Sequence, residues 1–284
     1  MIIKEISQNV WNQKAKSVQG YTFFCSNEWL SLTKKIFILK NHFLIILNNK
    51  VITYVVVQVD NNNLGYSAFI GYGGLITNEY ISNKLVEQIY DLIEKYLGIS
   101  MVRVKCSPFI KKISYTSEVD KTLAIKIKSD YLPGKKVRYS LRKVNSNLLF
   151  IRKLKLKEID KLYDLYIDTS LRVKSVYQTP KKLFKLMLSM KNVCVLGVFN
   201  NEEKFHAVSI FMYDKQVMYY WWNMSDEIGR KEYHNYMLIY YAIKLAIKKN
   251  LLWFDMATSH SLTLELFKKA WGAKEVPFIF IQKR

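Results

Sequence analysis

Cysteine is scarce in this 284-residue chain: Cys25, Cys106 and Cys194 are an odd number with no CxxC spacing. That excludes a disulfide framework and a cysteine-held zinc, and leaves three small hydrophobes among apolar neighbours, as a reducing compartment would keep them. The four histidines, His42, His206, His234 and His260, show no metal-ligand spacing, so no metal is expected. There is no GxSxG, Walker-type or paired-carboxylate signature, which removes the common hydrolase and NTPase classes. Apolar runs are short. Runs such as Phe43–Leu47 and Val55–Val57 cannot span a bilayer, and the opening MIIKEISQNV has no signal-peptide core. The expected location is cytoplasmic, and peripheral attachment to an anionic membrane surface through basic residues stays open.

Acidic residues are scarce as well. Lys and Arg number 44 against 23 Asp and Glu, a net charge of +21, while half the residues are apolar and supply a large core. Such a field attracts phosphates, nucleic acid or anionic lipid. The alternative is a base-composition bias that raises Lys everywhere along with Asn, Ile and Tyr. Clustering bears on the choice, because residues 121–160 hold twelve Lys and Arg against Asp130, Glu158 and Asp160.

The hydrophobic patterning alternates between periods. A helix over Trp29–Ile36 follows a Ser26/Asn27 cap signal, and strands His42–Leu47 and Val51–Val59 are joined by Asn48-Asn49-Lys50 as a hairpin. GYGGLITN (Gly71–Asn78) leads to a helix over Asn83–Leu97 stopped by Gly98, then a strand over Met101–Cys106. Leu123, Ile125 and Ile127 alternate as a further strand, and Pro133-Gly134 marks a boundary. Beyond it lie a basic helix Lys136–Asn145, a strand Leu148–Lys153, helices Lys157–Thr169 and Lys181–Met190, and strands Val193–Phe199, Phe205–Tyr213 and Gln216–Asn223. A helix His234–Lys249, a strand Trp253–Met256, a helix in Leu264–Ala273 and a final strand Pro277–Gln282 complete the chain. Both halves run helix, meander, longer helix, strand, which points to an internal duplication with domains 1–133 and 134–284.

Six stretches carry a further signal through their order and spacing: FFCSNEWLSL (Phe23–Leu32), GYGGLI (Gly71–Ile76), KKVRYSLRK (Lys135–Lys143), TSLRVKSVY (Thr169–Tyr177), YMLIYYAIKLAIKKNLLWFDM (Tyr236–Met256) and FKKAWGA (Phe267–Ala273). Together they resemble the FemABX-like aminoacyltransferases and their acyltransferase relatives. The resemblance implies an α/β (α+β) chain of two tandem GNAT-like domains, each a mixed, mostly antiparallel sheet flanked by helices. It also implies transfer of an aminoacyl group from aminoacyl-tRNA to an amine acceptor, a cell-envelope precursor or a small metabolite. The chain lacks the long helical hairpin that some peptidoglycan members carry as an arm, so acceptor and donor are not fixed by the likeness.

In that family the lysine of the Phe267-Lys268 pair approaches the reacting carbonyl, where a preorganised ammonium stabilises the oxyanion. Lys268 is therefore the first catalytic candidate, expected to turn into the cleft with Phe267 at its side, while Lys269 faces water. Both are otherwise an ordinary lysine pair near a helix C-terminus. Asp255, closing LLWFDM, is the second catalytic candidate, as a base or steering group, unless it only caps the turn with Thr258 or Ser259. Arg138, Arg142 and Lys143 share a helix stretch suited to donor phosphates, or are a solvated basic face. Arg230 and Lys231, beside the lone Gly229, are further donor contacts at a place where CoA-using relatives carry a Gly-rich loop. Arg172 and Tyr177 lie in a segment that contacts the acceptor in relatives. Tyr220 and Trp222, the outward pair of an alternating aromatic strand, are expected to line the acyl pocket.

The expected activity is amide-forming acyl transfer without a covalent enzyme intermediate, and without a resident cofactor, the donor being a co-substrate. Expected partners are tRNA and an amine-bearing acceptor bound in a cleft between the domains. Two alternatives stand beside it: an acyl-CoA-dependent GNAT N-acyltransferase acting on an amino sugar or amino acid, and a non-catalytic nucleic-acid-binding module.

Overall fold

The computed structural model describes residues 1–48, 51–110, 113–114, 119–144, 148–175 and 178–282. They form two compact units, Met1–Lys121 with Val276–Arg284, and Thr122–Glu275.

The first unit contains β1 (Ile2–Glu5), α1 (Gln8–Lys14), α2 (Asn27–Phe37), β2 (Lys40–Asn48), β3 (Val51–Val59), β4 (Leu64–Tyr66), β5 (Ile81–Ser82), α3 (Asn83–Leu97), β6 (Ser100–Lys105) and β7 (Ile113–Ser114). Ser26 caps α2 through the Trp29 amide and Ser82 caps α3 through that of Leu85, each satisfying an otherwise orphaned donor. Gly98 at φ 65 ends α3, as its sequence position predicts. β2 and β3 pair in register from Lys40↔Val59 to Asn48↔Val51, and Asn49 and Lys50 of the expected turn lie outside the described residues. β4 and β6 pair in parallel across the α3 crossover. GYGGLITN forms no named strand. Its backbone is tied by Tyr54↔Ile76 and Gly73↔Cys106 bridges.

The second unit runs β8 (Asp120–Lys126), α4 (Lys135–Lys143), β9 (Leu149–Lys153), α5 (Ile159–Arg172), α6 (Lys181–Met187), β10 (Val193–Asn200), β11 (Phe205–Tyr213), β12 (Val217–Ser225), α7 (Glu227–Lys231), α8 (His234–Lys248), β13 (Trp253–Asp255) and α9 (Leu262–Ala270). β14 (Lys274–Phe278) and β15 (Phe280–Gln282) close the chain. The seven-stranded sheet has the order β14-β8-β13-β12-β11-β10-β9, mostly antiparallel with β12 and β13 parallel. Leu123, Ile125, Phe211, Phe254, Leu238, Ile239 and Trp271 belong to one core beneath α8, each large side chain contributing roughly 1.5–3 kcal/mol by leaving water. Tyr166, Phe184 and Trp222 pack together where α5, α6 and β12 meet.

The architecture is the expected α+β pair of mixed sheets flanked by helices, and two details correct the expectation. The division falls at Lys121/Thr122, not at residue 133, because β8 pairs with β13 (Ile125↔Phe254) and so belongs to the second sheet. The expected single final strand is two: β14 joins the second sheet, and β15 pairs with β6 (Ile281↔Val104), with Phe278 and Ile279 fully buried. Among the described residues no helix is long and apolar enough to cross a membrane.

Candidate functional site

β12 pairs with β13 only from Val217↔Trp253 to Tyr219↔Asp255. β12 then continues to Ser225 while β13 stops at Asp255, so beyond Tyr219 one edge of β12 has no partner strand among the described residues. A strand edge without a partner strand is a place where an extended ligand can add.

β12 leads through α7 to the N-terminus of α8. Tyr233 precedes the helix at φ 59 and makes no side-chain cap, and the amides of Tyr236 and Met237 fold back to its carbonyl at 2.9 and 3.4 Å. The amides of His234 and Asn235 have no backbone partner among the described residues, as the first donors of a helix do. Around Ser225 four elements converge. Thr169 Oγ1 of α5 accepts from its amide at 3.3 Å, Arg230 Nη1 donates to its carbonyl at 2.6 Å, and Asn235 Nδ2 donates to its hydroxyl at 3.1 Å. Arg172, the last residue of α5, lies within one turn of Thr169, and its guanidinium is held below its usual value by burial and then by Arg230. Neither arginine has a carboxylate within ion-pair distance among the described residues. Buried His234 Nδ1 and Asn235 Oδ1 are left without partners. Two unneutralised guanidiniums near free helix amides are the chemistry that suits an anion.

At the end of β13, Asp255 is buried, and its Oδ1 accepts from Thr122 Oγ1 at 2.5 Å and from the Ala257 amide at 3.0 Å. Ala257 sits at φ 62, where a residue with a Cβ is strained. Lys268 is 3 % exposed and its Nζ donates to the carbonyls of Ala257 (3.0 Å) and Thr258 (2.7 Å). Burial lowers its ammonium from 10.5 to about 8, and the Asp255 charge opposes that shift. Lys268 and Asp255 thus grip one loop from two sides, with the third Lys268 hydrogen uncommitted and the Ser259 hydroxyl buried without a partner.

Lys269 faces water as expected, reaching Glu265 and Glu275 at the surface, whereas Lys268, expected to turn into a cleft, is buried with its ammonium on the Ala257 and Thr258 carbonyls. Phe267 packs edge-on against Tyr236, 5.5 Å between centroids, at the wall of the core. Asp255 is committed to the turn through the Ala257 amide. Arg138, Arg142 and Lys143 are exposed on α4. Arg138 Nη1 donates to the Pro133 carbonyl and Lys143 lies over the Tyr139 ring. Arg172 and Arg230, assigned to opposite substrates in the sequence, share one neighbourhood. Lys231 is neutralised by Glu227 at 2.7 Å. Tyr177 lies outside the described residues.

Tyr220 and Trp222 do not form an outward pair. The register slips between Ile210↔Trp222 and Phe211↔Tyr220, leaving Trp221 as a bulge. Tyr220 therefore stacks on Phe211 in the core, where burial pushes its phenol up, while Trp222 turns to Phe184 and stacks on Trp221 at 4.3 Å. Ser225, Asn235 and Thr169 escaped sequence reasoning, because only the fold brings them together. Gly229 is a packing residue: a Cβ there would lie 2.2 Å from the His206 carbonyl oxygen, and its amide is spent on Asp226.

No family model matches the chain, and no curated protein matches it in sequence. Solved structures do. FemX is similar with a TM-score of 0.68 at 10% identity, over 98% of this chain and 96% of its own. The C-terminal domain of a putative lysylphosphatidylglycerol synthetase from Agrobacterium fabrum gives 0.53 at 11% identity, over 91% and 88%. A tandem GNAT protein from the clavulanic acid biosynthesis pathway gives 0.53 at 6% identity, over 98% and 97%. The chain thus has the tandem GNAT-type fold of these proteins, the architecture its sequence motifs resemble.

Proposed function

We propose that this chain is an N-acyltransferase that moves an aminoacyl group from aminoacyl-tRNA to an amine. The observation that supports it is the β12 edge without a partner strand beyond Tyr219, between the Lys268 loop and the α8 N-terminus with Arg172 and Arg230. An extended donor lying along that edge puts its phosphates on the arginines and its carbonyl near Lys268. The acceptor nitrogen attacks the ester carbonyl, the C–O bond to the ribose breaks, and the proton lost by nitrogen ends on the released ribose hydroxyl. Lys268, with one hydrogen to spare, is the donor for the intervening oxyanion. Cys106 and Cys194 are poor nucleophiles, since burial pushes Cys106 up to about 12 and raises Cys194 as well. Two features favour an RNA-linked donor. Gly229 is locked in packing beside the Asp226 carboxylate, and α4 presents Arg138 and Arg142 without acidic partners among the described residues.

The open strand edge and free helix amides also fit the extended, pyrophosphate-bearing arm of an acyl-CoA, which keeps transfer from acyl-CoA to an amino sugar or amino acid as the second reading. Steady-state kinetics on the Arg172→Gln/Arg230→Gln variant, with charged tRNA and with acyl-CoA, separates the two. A KM raised about tenfold or more for charged tRNA supports the first reading. The same effect confined to acyl-CoA supports the second.

A further inference from the structure

The first unit carries an open groove of about 870 Å³ at the end of α2 and the turn before β4. Lys34 and Lys35 of the last α2 turn, Lys40 at the start of β2, and the side chains of Asn61, Asn63 and Gln8 line it. The three lysines are exposed, and none has a carboxylate within ion-pair distance among the described residues. The three side-chain amides are likewise unpartnered there. Asp60 is the acid of the lining: one oxygen accepts from the amides of Asn62 and Leu64, and the other lies 3.4 Å from the Tyr66 hydroxyl. The groove therefore offers three ammonium groups and three free amides, with its one carboxylate engaged elsewhere.

We propose that this groove binds the phosphodiester backbone of an RNA. Lysines neutralise phosphates, and neighbouring amides bond phosphate oxygens and ribose hydroxyls, contacts that position a strand without reading its sequence. A concave groove accepts a strand. An amphipathic membrane anchor adds exposed apolar side chains to its charge, and Ile38 is the single exposed apolar side chain of this lining. The proposal goes beyond the transferase reading and does not need it, since no residue of the groove belongs to the β12 site and uncharged RNA suffices as ligand.

Fluorescence anisotropy of the full chain with uncharged tRNA, across a salt series, tests this. Lys34→Gln/Lys35→Gln/Lys40→Gln removes the groove charges. Lys182→Gln/Lys185→Gln/Lys248→Gln removes the same charge from exposed positions of the second unit, and circular dichroism melts confirm that both variants fold. The groove variant is expected to bind about tenfold more weakly or worse, with the slope of log affinity against log salt shallower by about 2, while the control changes far less. Equal losses in the two variants overturn the proposal, because net charge alone then governs binding. Loss of binding to phosphatidylglycerol vesicles with tRNA affinity unchanged overturns it in favour of a membrane. Failure to transfer any acyl group refutes the transferase reading and leaves this result standing.

Discussion

Lys268 holds a loop in place. Its two bonds to the carbonyls of Ala257 and Thr258 support a residue at φ 62, so Lys268→Met strands both acceptors. Denaturant unfolding is expected to show a loss of about 2 kcal/mol for that variant, and an unchanged midpoint contradicts the clamp. Protonation adds a pH signature. Lys268 has a folded value of about 8 against 10.5 when exposed, so between them the unfolded chain binds more protons and stability rises with pH. That rise is expected to be missing from Lys268→Met when its pH–stability curve is compared with the parent's. Transfer that uses the charged ammonium runs the other way, falling as pH rises through about 8. The lysine and its neighbour Asp255 were legible in the sequence as a pair of candidates. Their shared grip on Ala257 was not, because a backbone angle is set by the loop's tertiary contacts.

At the scale of elements, periodicity found most of the long helices and the meander strands, since α2, α3, α8 and the β10–β12 run each bury one face or both against a core. Short pieces without a period, β1, α1 and β4, stayed invisible. The Trp221 bulge defeated the alternation rule, because one extra residue reverses the face of every side chain after it. Gly229 illustrates a residue whose meaning depends on its neighbour element. It looked like the remnant of a phosphate loop, and it is the contact point where α7 meets the β11 carbonyl of His206. Gly229→Ala is expected to lower the melting temperature by an amount equivalent to about 2 kcal/mol or more, since the obstructing atom is backbone. A parent-like melt contradicts that packing.

For the whole molecule, the notable connection is the return of the C-terminus to the first unit. β15 completes the six-stranded sheet, and Phe278 and Ile279 fill that unit's core, so a division drawn along the sequence put these residues in the wrong half. Removing Val276–Arg284 is expected to destabilise the first unit by more than about 4 kcal/mol, from two buried side chains and a lost strand. Limited proteolysis then cuts within residues 1–121 before the second unit, and uniform resistance contradicts the assignment.

The central claim is acyl transfer from an RNA-linked donor. Its most direct test incubates the protein with a pool of radiolabelled aminoacyl-tRNAs and a cell extract containing amine acceptors, beside Lys268→Met. The account predicts label leaving tRNA for an amide-linked product with the parent chain, reduced at least about a hundredfold in the variant. Label that stays on every tRNA, while acyl-CoA is consumed in the same extract, contradicts it.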